Sequence, residues 1–101
     1  MSKVKHIVLL KFKDGTSEEQ INGFFDEVLD ISETVSGVED YVSGSNSSRE
    51  NKNQGLTHGY IMTFADAAVR DAYLATEEYI RYKKMAEPLI ETSTVFDFEV
   101  S

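Results

Sequence analysis

Residues 4–12 read VKHIVLLKF, and this stretch near the start of the chain decides the fold. One set of alternate positions is apolar apart from a single histidine, whereas the other set mixes Ile7 and Leu9 with two lysines. A period of two is the spacing of a β-strand, whose successive side chains point to opposite faces of a sheet. The stretch therefore predicts a strand with one apolar face, made of Val4, His6, Val8, Leu10 and Phe12.

A helix is predicted after this strand. Asp14 and Gly15 interrupt the alternation, and Thr16 and Ser17 are each followed three residues later by Glu or Gln, a capping-box pattern that begins helices. Gly37 is typical of a helix end. Between these signals, apolar residues recur at spacings of three and four, as on a helix packed against a core: Ile21, Phe24, Phe25, Val28, Leu29 and Val35.

Two more strands and a polar loop follow the helix. Residues 38–43 indicate a short strand, and residues 57–64 repeat the alternation of the first strand. Between them, residues 44–55 form a polar run without periodicity. This run predicts an exposed loop and a candidate mobile flap.

The last third of the sequence predicts a broken helix and a final strand. Asp66 can cap a first helical piece, and Thr76 with two following glutamates indicates a second start. Pro88 restricts continuation of the helix. Residues 94–100 then predict a strand whose even positions, Phe96, Phe98 and Val100, share one side.

The order βαββαβ predicts a ferredoxin-like α+β fold, a four-stranded antiparallel sheet with the helices on one face. Even positions carry the larger apolar set in the long strands, so we expect them under the helices. Asp97 and Glu99 are then expected on the opposite face, as dimer contacts or, preferably, as solvated charges at a sheet edge. Enough apolar surface remains on that face to predict a homodimer that pairs sheet against sheet: Ile7, Leu9, Ile61, Val95 and, at the margin, Tyr41.

Bulk properties narrow the class of protein. A chain of 101 residues suits one domain, residues 1–101, with a single core. The net charge of -8 opposes contact with a phosphate backbone, and the absence of cysteine excludes thiolate chemistry. No apolar run approaches bilayer length, and no nucleotide-binding motif is present. We therefore expect a cytoplasmic protein without a cofactor, a nucleic-acid partner or a membrane partner.

Three segments of the sequence resemble the strand signatures of the stress-responsive A/B-barrel (Dabb) family: residues 5–13, 57–64 and 95–100. Tyr73-Leu74-Ala75 before the helix break adds to the resemblance, which covers essentially the whole chain. The resemblance implies a dimer in which two four-stranded sheets close into a barrel. It also implies varied functions, from stress-associated proteins without a known reaction to a plant polyketide cyclase that carries out a cofactor-free aldol condensation.

The cyclase-like branch of the family implies a site between the sheet and the helices. By this resemblance, His6 and His58 match the strand histidines of that site, and Tyr73 matches its tyrosine. Tyr79 stands where many members have the last histidine of a His-Pro-x-His segment. An unperturbed tyrosine titrates at roughly pH 10 and a histidine at roughly 6.5, so Tyr79 is a poor general base. The cyclase chemistry is therefore not carried over.

His6 and His58 share the same parity on strands expected to be neighbours, which predicts that their rings converge in one partly buried pocket. Such a pair can orient a ligand or exchange a proton near neutral pH. The competing interpretation is that each ring only satisfies a buried polar group. A two-histidine metal site is the least favoured, because no carboxylate is spaced to complete it. Val28 is expected as an apolar wall of the pocket, and Tyr73 and Tyr79 as aromatics that pack in the core or reach the pocket at the helix break.

The leading hypothesis is a dimeric protein that binds a small apolar or aromatic ligand through His6, His58, Tyr73, Tyr79 and Val28. The competing hypothesis is a cofactor-independent enzyme, cyclase-like or similar to the small monooxygenases. In that enzyme His58 orients or deprotonates the substrate, His6 assists, and Tyr73 hydrogen-bonds an enolate. A third hypothesis is a structural, stress-protective oligomer that needs neither histidine.

Overall fold

The structure, a computed structural model, describes residues 2–100. Strands and helices follow one another in the predicted order, including the break in the second helical region. The elements are β1 Lys3–Phe12, α1 Glu18–Thr34, β2 Val38–Ser45, β3 His58–Phe64, α2 Ala67–Tyr73, α3 Glu77–Ala86 and β4 Ile90–Val100.

The four strands form one sheet in the order β2-β3-β1-β4, and every neighbouring pair is antiparallel. Helix side chains cover one face of this sheet, where Phe24, Val28 and Ile31 of α1 and Tyr73 of α2 join the buried core. The predicted ferredoxin-like fold class is therefore confirmed. β4 is longer than predicted, because it begins at Ile90 rather than at residue 94.

Side-chain caps explain where the helices begin and end. Gln20 N donates to Ser17 Oγ at 3.1 Å and Ser17 N donates to Gln20 Oε1 at 2.9 Å, which is the predicted capping box of α1. At the helix break, Thr76 Oγ1 donates to the carbonyl of Tyr73 at 2.6 Å and accepts from the amide of Tyr79 at 3.1 Å. One hydroxyl thus satisfies backbone groups that the end of α2 and the start of α3 leave open.

The core lies between the helices and the even-numbered residues of β1 and β3. Those of β1 are at most 7% exposed, and Tyr60, Met62 and Phe64 of β3 are at most 3% exposed. Apolar side chains buried to this degree are the main source of folding free energy. For β1 and β3 the face predicted from the alternation is confirmed.

β4 shows the opposite parity. His6 of β1 pairs with Asp97 of β4, and Ile7 pairs with Phe96, so that even residues of β1 lie beside odd residues of β4. Because neighbouring residues across a ladder point to the same face, Asp97 faces the helices and Phe96 faces away from them. Phe96 is accordingly 64% exposed.

Several placements made from parity alone were therefore wrong. Phe96, Phe98 and Val100 lie on the face away from the helices, whereas Asp97 and Glu99 lie on the helix side. The same shift between β2 and β3 moves Tyr41 to the helix side, where its ring centroid is 5.8 Å from that of Tyr60. Val95 pairs with Val8 and moves to the helix side too. We call the face away from the helices the outer face; its apolar residues are Ile7, Leu9, Val42, Ile61, Phe96 and Phe98.

Candidate functional site

A cavity of about 720 Å³ lies between the sheet and the helices, and we call it the helix-side cavity. β1 and β4 form its floor, and the end of α2 and one side of α3 form its walls. Apolar and aromatic side chains dominate these surfaces, among them Val8, Leu10, Leu74, Tyr79, Tyr82 and Val95. A few polar groups are added by His6, Arg70, Lys83, Glu87, Glu91 and Asp97.

Three of these polar side chains form a connected network on the cavity floor. His6 Nδ1 lies 2.8 Å from Asp97 Oδ1, and Arg70 Nη1 donates to Asp97 Oδ2 at 2.9 Å. Arg70 Nε also donates to Asp71 Oδ1 at 2.8 Å. We call the first three residues the His6–Asp97–Arg70 network. It joins the two strands of the floor to α2, and His6 is only 7% exposed.

This network fixes the state of the His6 ring. An ionised carboxylate only accepts hydrogen bonds, so Nδ1 must carry the proton in the contact with Asp97. Nε2 of a neutral ring then keeps its lone pair and serves as an acceptor. Hydrogen bonds from Arg70 to Asp71 and to Asp97 raise the pKa of the guanidinium, which is charged in any case. Arg70 therefore holds the Asp97 carboxylate in place beneath His6.

Aromatic rings surround this network. The His6 ring centroid is 5.8 Å from that of Phe64 and 6.4 Å from that of Tyr60. Tyr79 and Tyr82 stack at 6.0 Å and both line the cavity, and Lys83 Nζ lies 5.0 Å from the Tyr79 centroid. Such rings offer a planar, apolar surface with hydroxyl groups at its margin.

Burial controls the protonation of the tyrosines around the cavity. It raises the pKa of Tyr60 well above the ordinary phenol value, and the nearby Tyr82 phenol adds to the rise. Burial likewise raises the pKa values of Tyr73 and Tyr82. These hydroxyls stay protonated at neutral pH, so they can donate hydrogen bonds but do not act as bases.

The predicted convergence of His6 and His58 was wrong. His6 pairs with Met62 and His58 pairs with Leu10, so the two histidines are four residues apart along the ladder, roughly 13 Å at the rise of a strand. The His58 ring contacts Phe12 and Phe25 with centroids at 5.2 and 5.8 Å, and its Nδ1 is 2.8 Å from Thr57 Oγ1. Equal parity places both rings on the same face of the sheet, but it does not determine their positions along the strands.

The other predicted site residues also lie in different places, and only one of them lines the helix-side cavity. Tyr79 lines the helix-side cavity, whereas Tyr73 packs behind it with ring centroids 5.2 Å apart and is 2% exposed. Val28 is 1% exposed within the core and does not line the helix-side cavity. Of the five residues predicted to contact a ligand, His6 and Tyr79 meet in the helix-side cavity; contact with a ligand stays a prediction for all five.

Sequence reasoning missed Asp97 and Arg70 as site residues. Asp97 and Glu99 alternate with Phe96, Phe98 and Val100, and this alternation of charged and apolar residues was the available signal. Its use required the register of β4 against β1, because parity alone sent the side chain to the outer face. Arg70 carried no signal, since a single arginine in a short helix is ordinary.

A second cavity lies on the outer face. It has a volume of about 750 Å³ and is enclosed by the apolar side chains of β1, β2 and β3 and by the polar loop of residues 46–57. Although its ring packs against Phe12 and Phe25, His58 is among the residues that line this outer cavity and does not line the helix-side cavity. Among residues 2–100, no group of three or more His, Asp or Glu side chains is placed to hold a metal ion. No helix in the described part of the chain is long and apolar enough to cross a bilayer.

The fold and this site define a class, the ferredoxin-like α+β proteins with a ligand-sized cavity between sheet and helices. Within that class the family is shown by the sequence. Residues 4–100 match the family model described as the stress responsive A/B barrel domain (Dabb), and the chain belongs to this family.

Similar proteins include enzymes and proteins without a known activity. Olivetolic acid cyclase from Cannabis sativa is 26% identical over 95 residues, which cover 94% of each chain. At3g17210 from Arabidopsis thaliana has a crystal structure with a TM-score of 0.92, 26% identity, and coverage of 97% of this chain and 95% of that one. The fold is shared with hydroxynitrile lyase from Passiflora edulis, with a TM-score of 0.90, 21% identity, and coverage of 98% and 94%. A ferredoxin-like protein of unknown function from Thermobifida fusca, described as dimeric, has a TM-score of 0.82, 12% identity, and coverage of 98% and 92%.

Proposed function

We propose that this protein binds a small molecule with an apolar or aromatic body and one hydroxyl or similar donor group in the helix-side cavity. The observation that carries the proposal is the His6–Asp97–Arg70 network on the floor of that cavity. A volume of about 720 Å³ is within the usual range of ligand pockets. Apolar walls with a few convergent polar groups are also typical of such pockets.

The chemistry of the network selects the polar group of the ligand. Because Asp97 accepts from Nδ1 of His6, the free Nε2 favours a ligand that donates a hydrogen bond, such as a phenol or an enol. Tyr82 stays a protonated phenol and favours an acceptor on the ligand, such as a carbonyl. The stacked rings of Tyr79 and Tyr82 favour a planar body that packs on their exposed side. Together these groups suit a phenolic or β-dicarbonyl compound.

The two histidines provide a matched pair of variants for testing this proposal. We expect His6→Ala to weaken the binding of a phenolic fragment by about tenfold or more, the loss for a hydrogen bond with a polar group in an enclosed site. His58→Ala, roughly 13 Å away along the strands, is expected to leave binding within about twofold of the wild type. Titration of both variants with a panel of phenols, followed by ¹⁵N-resolved NMR shifts, measures the difference. Equal loss in both variants, or loss in His58→Ala alone, overturns the proposal.

A second candidate function is acid–base catalysis on such a ligand. An aspartate that orients the Nδ1–H of a histidine leaves Nε2 as a general base, and His6 with Asp97 has this arrangement. The olivetolic acid cyclase relative supports this candidate, although Tyr79 supplies no base. The reaction expected is removal of an acidic C–H proton next to a carbonyl by His6, with the charge of the enolate stabilised by a phenol hydroxyl.

Deuterium exchange tests this second candidate without knowledge of the natural substrate. A 1,3-dicarbonyl compound in D₂O exchanges its acidic C–H, and a bound general base accelerates the exchange by roughly a hundredfold or more. We expect the acceleration to disappear in His6→Ala and to remain in His58→Ala. If the wild-type protein binds phenols but does not accelerate exchange, the binding function stands and the catalytic candidate is rejected.

The proposed binding protein is also a homodimer that pairs through the outer face. Phe96 is 64% exposed, Val42 is 51% exposed and Phe98 is 44% exposed. Together they form a larger exposed apolar patch than a monomer usually leaves in water. The dimeric ferredoxin-like neighbour from Thermobifida fusca supports a dimer of this fold. Sedimentation of the wild type at micromolar concentration tests it: a dimer is expected, a monomer contradicts the pairing, and larger particles favour the stress-protective oligomer.

A further inference from the structure

Two exposed apolar side chains lie within the helix-side cavity. Leu74 is 42% exposed and Val95 is 59% exposed, and both line the cavity. Among residues 2–100, the other large apolar side chains that are exposed do not line it: Leu9, Leu29, Val42, Ile80, Phe96 and Phe98. Leu74 and Val95 therefore leave apolar surface in water inside a concave site, where a ligand can cover it.

Both side chains lie about one ring length from the His6–Asp97–Arg70 network. Val95 is two residues from Asp97 along β4, roughly 7 Å at the rise of a strand. The amide of Leu74 donates to the carbonyl of Arg70 at 3.3 Å, so Leu74 is one helical turn, roughly 6 Å, from Arg70. Because all of them line the same cavity, a phenol bound at His6 can extend a ring substituent to both side chains.

The cavity is open to solvent along β4. This strand is an edge of the sheet, and its Val95 pairs with Val8 of β1. Val8 is 2% exposed beneath the helices whereas Val95 is exposed, so the cover that the helices give ends between these two strands. Glu91 and Ser93, which also line the cavity from β4, are exposed as well. A substituent that passes Val95 therefore reaches water.

The opposite direction, toward β3, is closed by Tyr60. This residue lines the cavity and is 3% exposed, and its ring packs against Tyr41 and Tyr82 with centroids at 5.8 and 6.3 Å. Along the ladder Tyr60 lies between His6 and His58, so it separates the cavity from His58. Space for a ligand longer than one ring therefore lies toward β4.

We infer that the ligand of the helix-side cavity is the phenolic or enolic end of a larger molecule, whose apolar segment passes between Leu74 and Val95 and continues into solvent at β4. The inference rests on the binding function proposed above and adds the shape of the ligand and two residues that select it. His6 binds the hydroxyl end, and Leu74 and Val95 contact the apolar segment next to the ring. Because the cavity is open beyond Val95, the rest of the molecule can be polar or bulky without loss of these contacts.

A comparison of phenol with 4-butylphenol tests the apolar contacts. We expect the wild type to bind 4-butylphenol at least about tenfold more tightly, since each methylene removed from water contributes up to about fourfold. Leu74→Ala and Val95→Ala are each expected to lower this ratio by about threefold or more. Leu29→Ala is the matched control and is expected to keep the ratio, because Leu29 is 43% exposed on α1 and does not line the cavity. A wild-type ratio near one, or the same ratio in all four proteins, overturns the inference.

A polyethylene glycol chain attached to the end of the butyl group tests the open end. We expect this conjugate to bind within about threefold of 4-butylphenol, because its polar chain lies in water beyond β4. Loss of binding shows a closed cavity that holds only a compact ligand, and it overturns the inference. NMR shifts of ¹⁵N-labelled protein measure both series, and sedimentation of Leu74→Ala gives the subunit number. A change in that number shows that a protein surface covers Leu74, which also overturns the inference.

Failure of the inference is distinguishable from failure of the binding function. If phenol does not bind, or binds equally well to His6→Ala, the proposed binding function is wrong and the inference falls with it. If phenol binds through His6 but the butyl group adds no affinity, or the conjugate is not accepted, the binding function stands and the open-ended ligand is rejected.

Discussion

The two faces of the same sheet are built for different contacts. On the helix side, β1 contributes His6 among fully buried apolar neighbours, and its ring is bonded to Asp97. On the outer face, the adjacent Ile7 belongs to a row that ends in the exposed ring of Phe96. The first face encloses a polar network within an aromatic cavity, and the second presents apolar side chains without such a network. Buried hydrogen-bonding groups give selectivity for a small ligand, whereas a broad apolar face favours association with another protein surface.

The largest effect expected from this difference comes from one residue type on both faces. Phe64 on the helix side is 0% exposed and Phe96 on the outer face is 64% exposed. We expect Phe64→Ala to lower the free energy of unfolding by about 3–5 kcal/mol. Phe96→Ala is expected to change the unfolding of the monomer by less than about 1 kcal/mol and to weaken the dimer. Urea unfolding at two protein concentrations measures both effects. If Phe96→Ala lowers the free energy of unfolding as much as Phe64→Ala does at both concentrations, the two faces do not differ in the way proposed.

The next effect concerns the polar network. Asp97→Asn removes the charge that binds His6 and Arg70 together, and we expect it to lower the free energy of unfolding by about 1–3 kcal/mol. The substitution also allows His6 to adopt either tautomer, and ¹⁵N NMR of the imidazole measures the ratio of the two. Glu99→Gln, two residues further along the same strand and exposed, is the control and is expected within about 0.5 kcal/mol of the wild type. A mixed His6 tautomer in the wild type would contradict the assigned role of Asp97.

A pH effect follows from the tyrosines. All five lie on the helix side of the sheet or in the helices that cover it. Burial raises the pKa of Tyr60, Tyr73 and Tyr82 in the folded state, so the folded protein binds these protons more tightly than the unfolded chain does. Their contribution to stability is therefore complete below the ordinary phenol pKa of about 10 and is lost as the pH rises above it.

The size of this loss is about 1.4 kcal/mol for each pH unit and each such tyrosine. We expect the free energy of unfolding to decline between pH 10 and 11, and the decline to become less steep in Tyr60→Phe. Unfolding by urea at pH 8, 9, 10 and 11 measures the slope. The same slope in the wild type and in Tyr60→Phe would show that Tyr60 is not protected from ionisation by burial.

The smallest effect separates the two doubly paired arginines. Arg70 bonds Asp71 and Asp97 at the cavity, whereas Arg81 bonds Asp30 at 3.0 Å and lies 3.5 Å from Glu27 on the surface of α1 and α3. We expect Arg70→Gln to cost about 1 kcal/mol of stability and to reduce phenol binding, because Asp97 is no longer held beneath His6. Arg81→Gln is expected to cost less and to leave binding unchanged, since exposed ion pairs contribute little. Identical binding in both variants would limit the network to His6 and Asp97.

The sequence predicts the elements of this fold well because their signals are local. The alternation from Val4 to Phe12, the capping box at Ser17 and the break at Thr76 each depend on residues within one turn or one strand. Such patterns reflect backbone geometry and nearby side chains, so a single chain displays them without knowledge of its contacts.

Features that depend on register could not be read in this way. The pairing of His6 with Asp97 sets the parity of β4, and a shift by one residue would send every side chain of that strand to the other face. The even positions of β4 carry more apolar residues, so Phe96 and Phe98 were assigned to the core. The sequence pattern alone does not distinguish the face that packs under the helices from a second apolar face. The separation of His6 from His58 likewise depends on height along the ladder and not on parity.

Native mass spectrometry of the wild type and of His6→Ala, with a bound phenol, tests the division of roles between the two faces most directly. We expect a dimer that carries one ligand for each copy in the wild type. For His6→Ala we expect the same dimer without ligand, because the helix-side cavity loses its hydrogen bond while the outer face is unchanged. A His6→Ala protein that keeps the ligand, or that loses the ligand and the dimer together while remaining folded, would show that the two faces do not have separate roles.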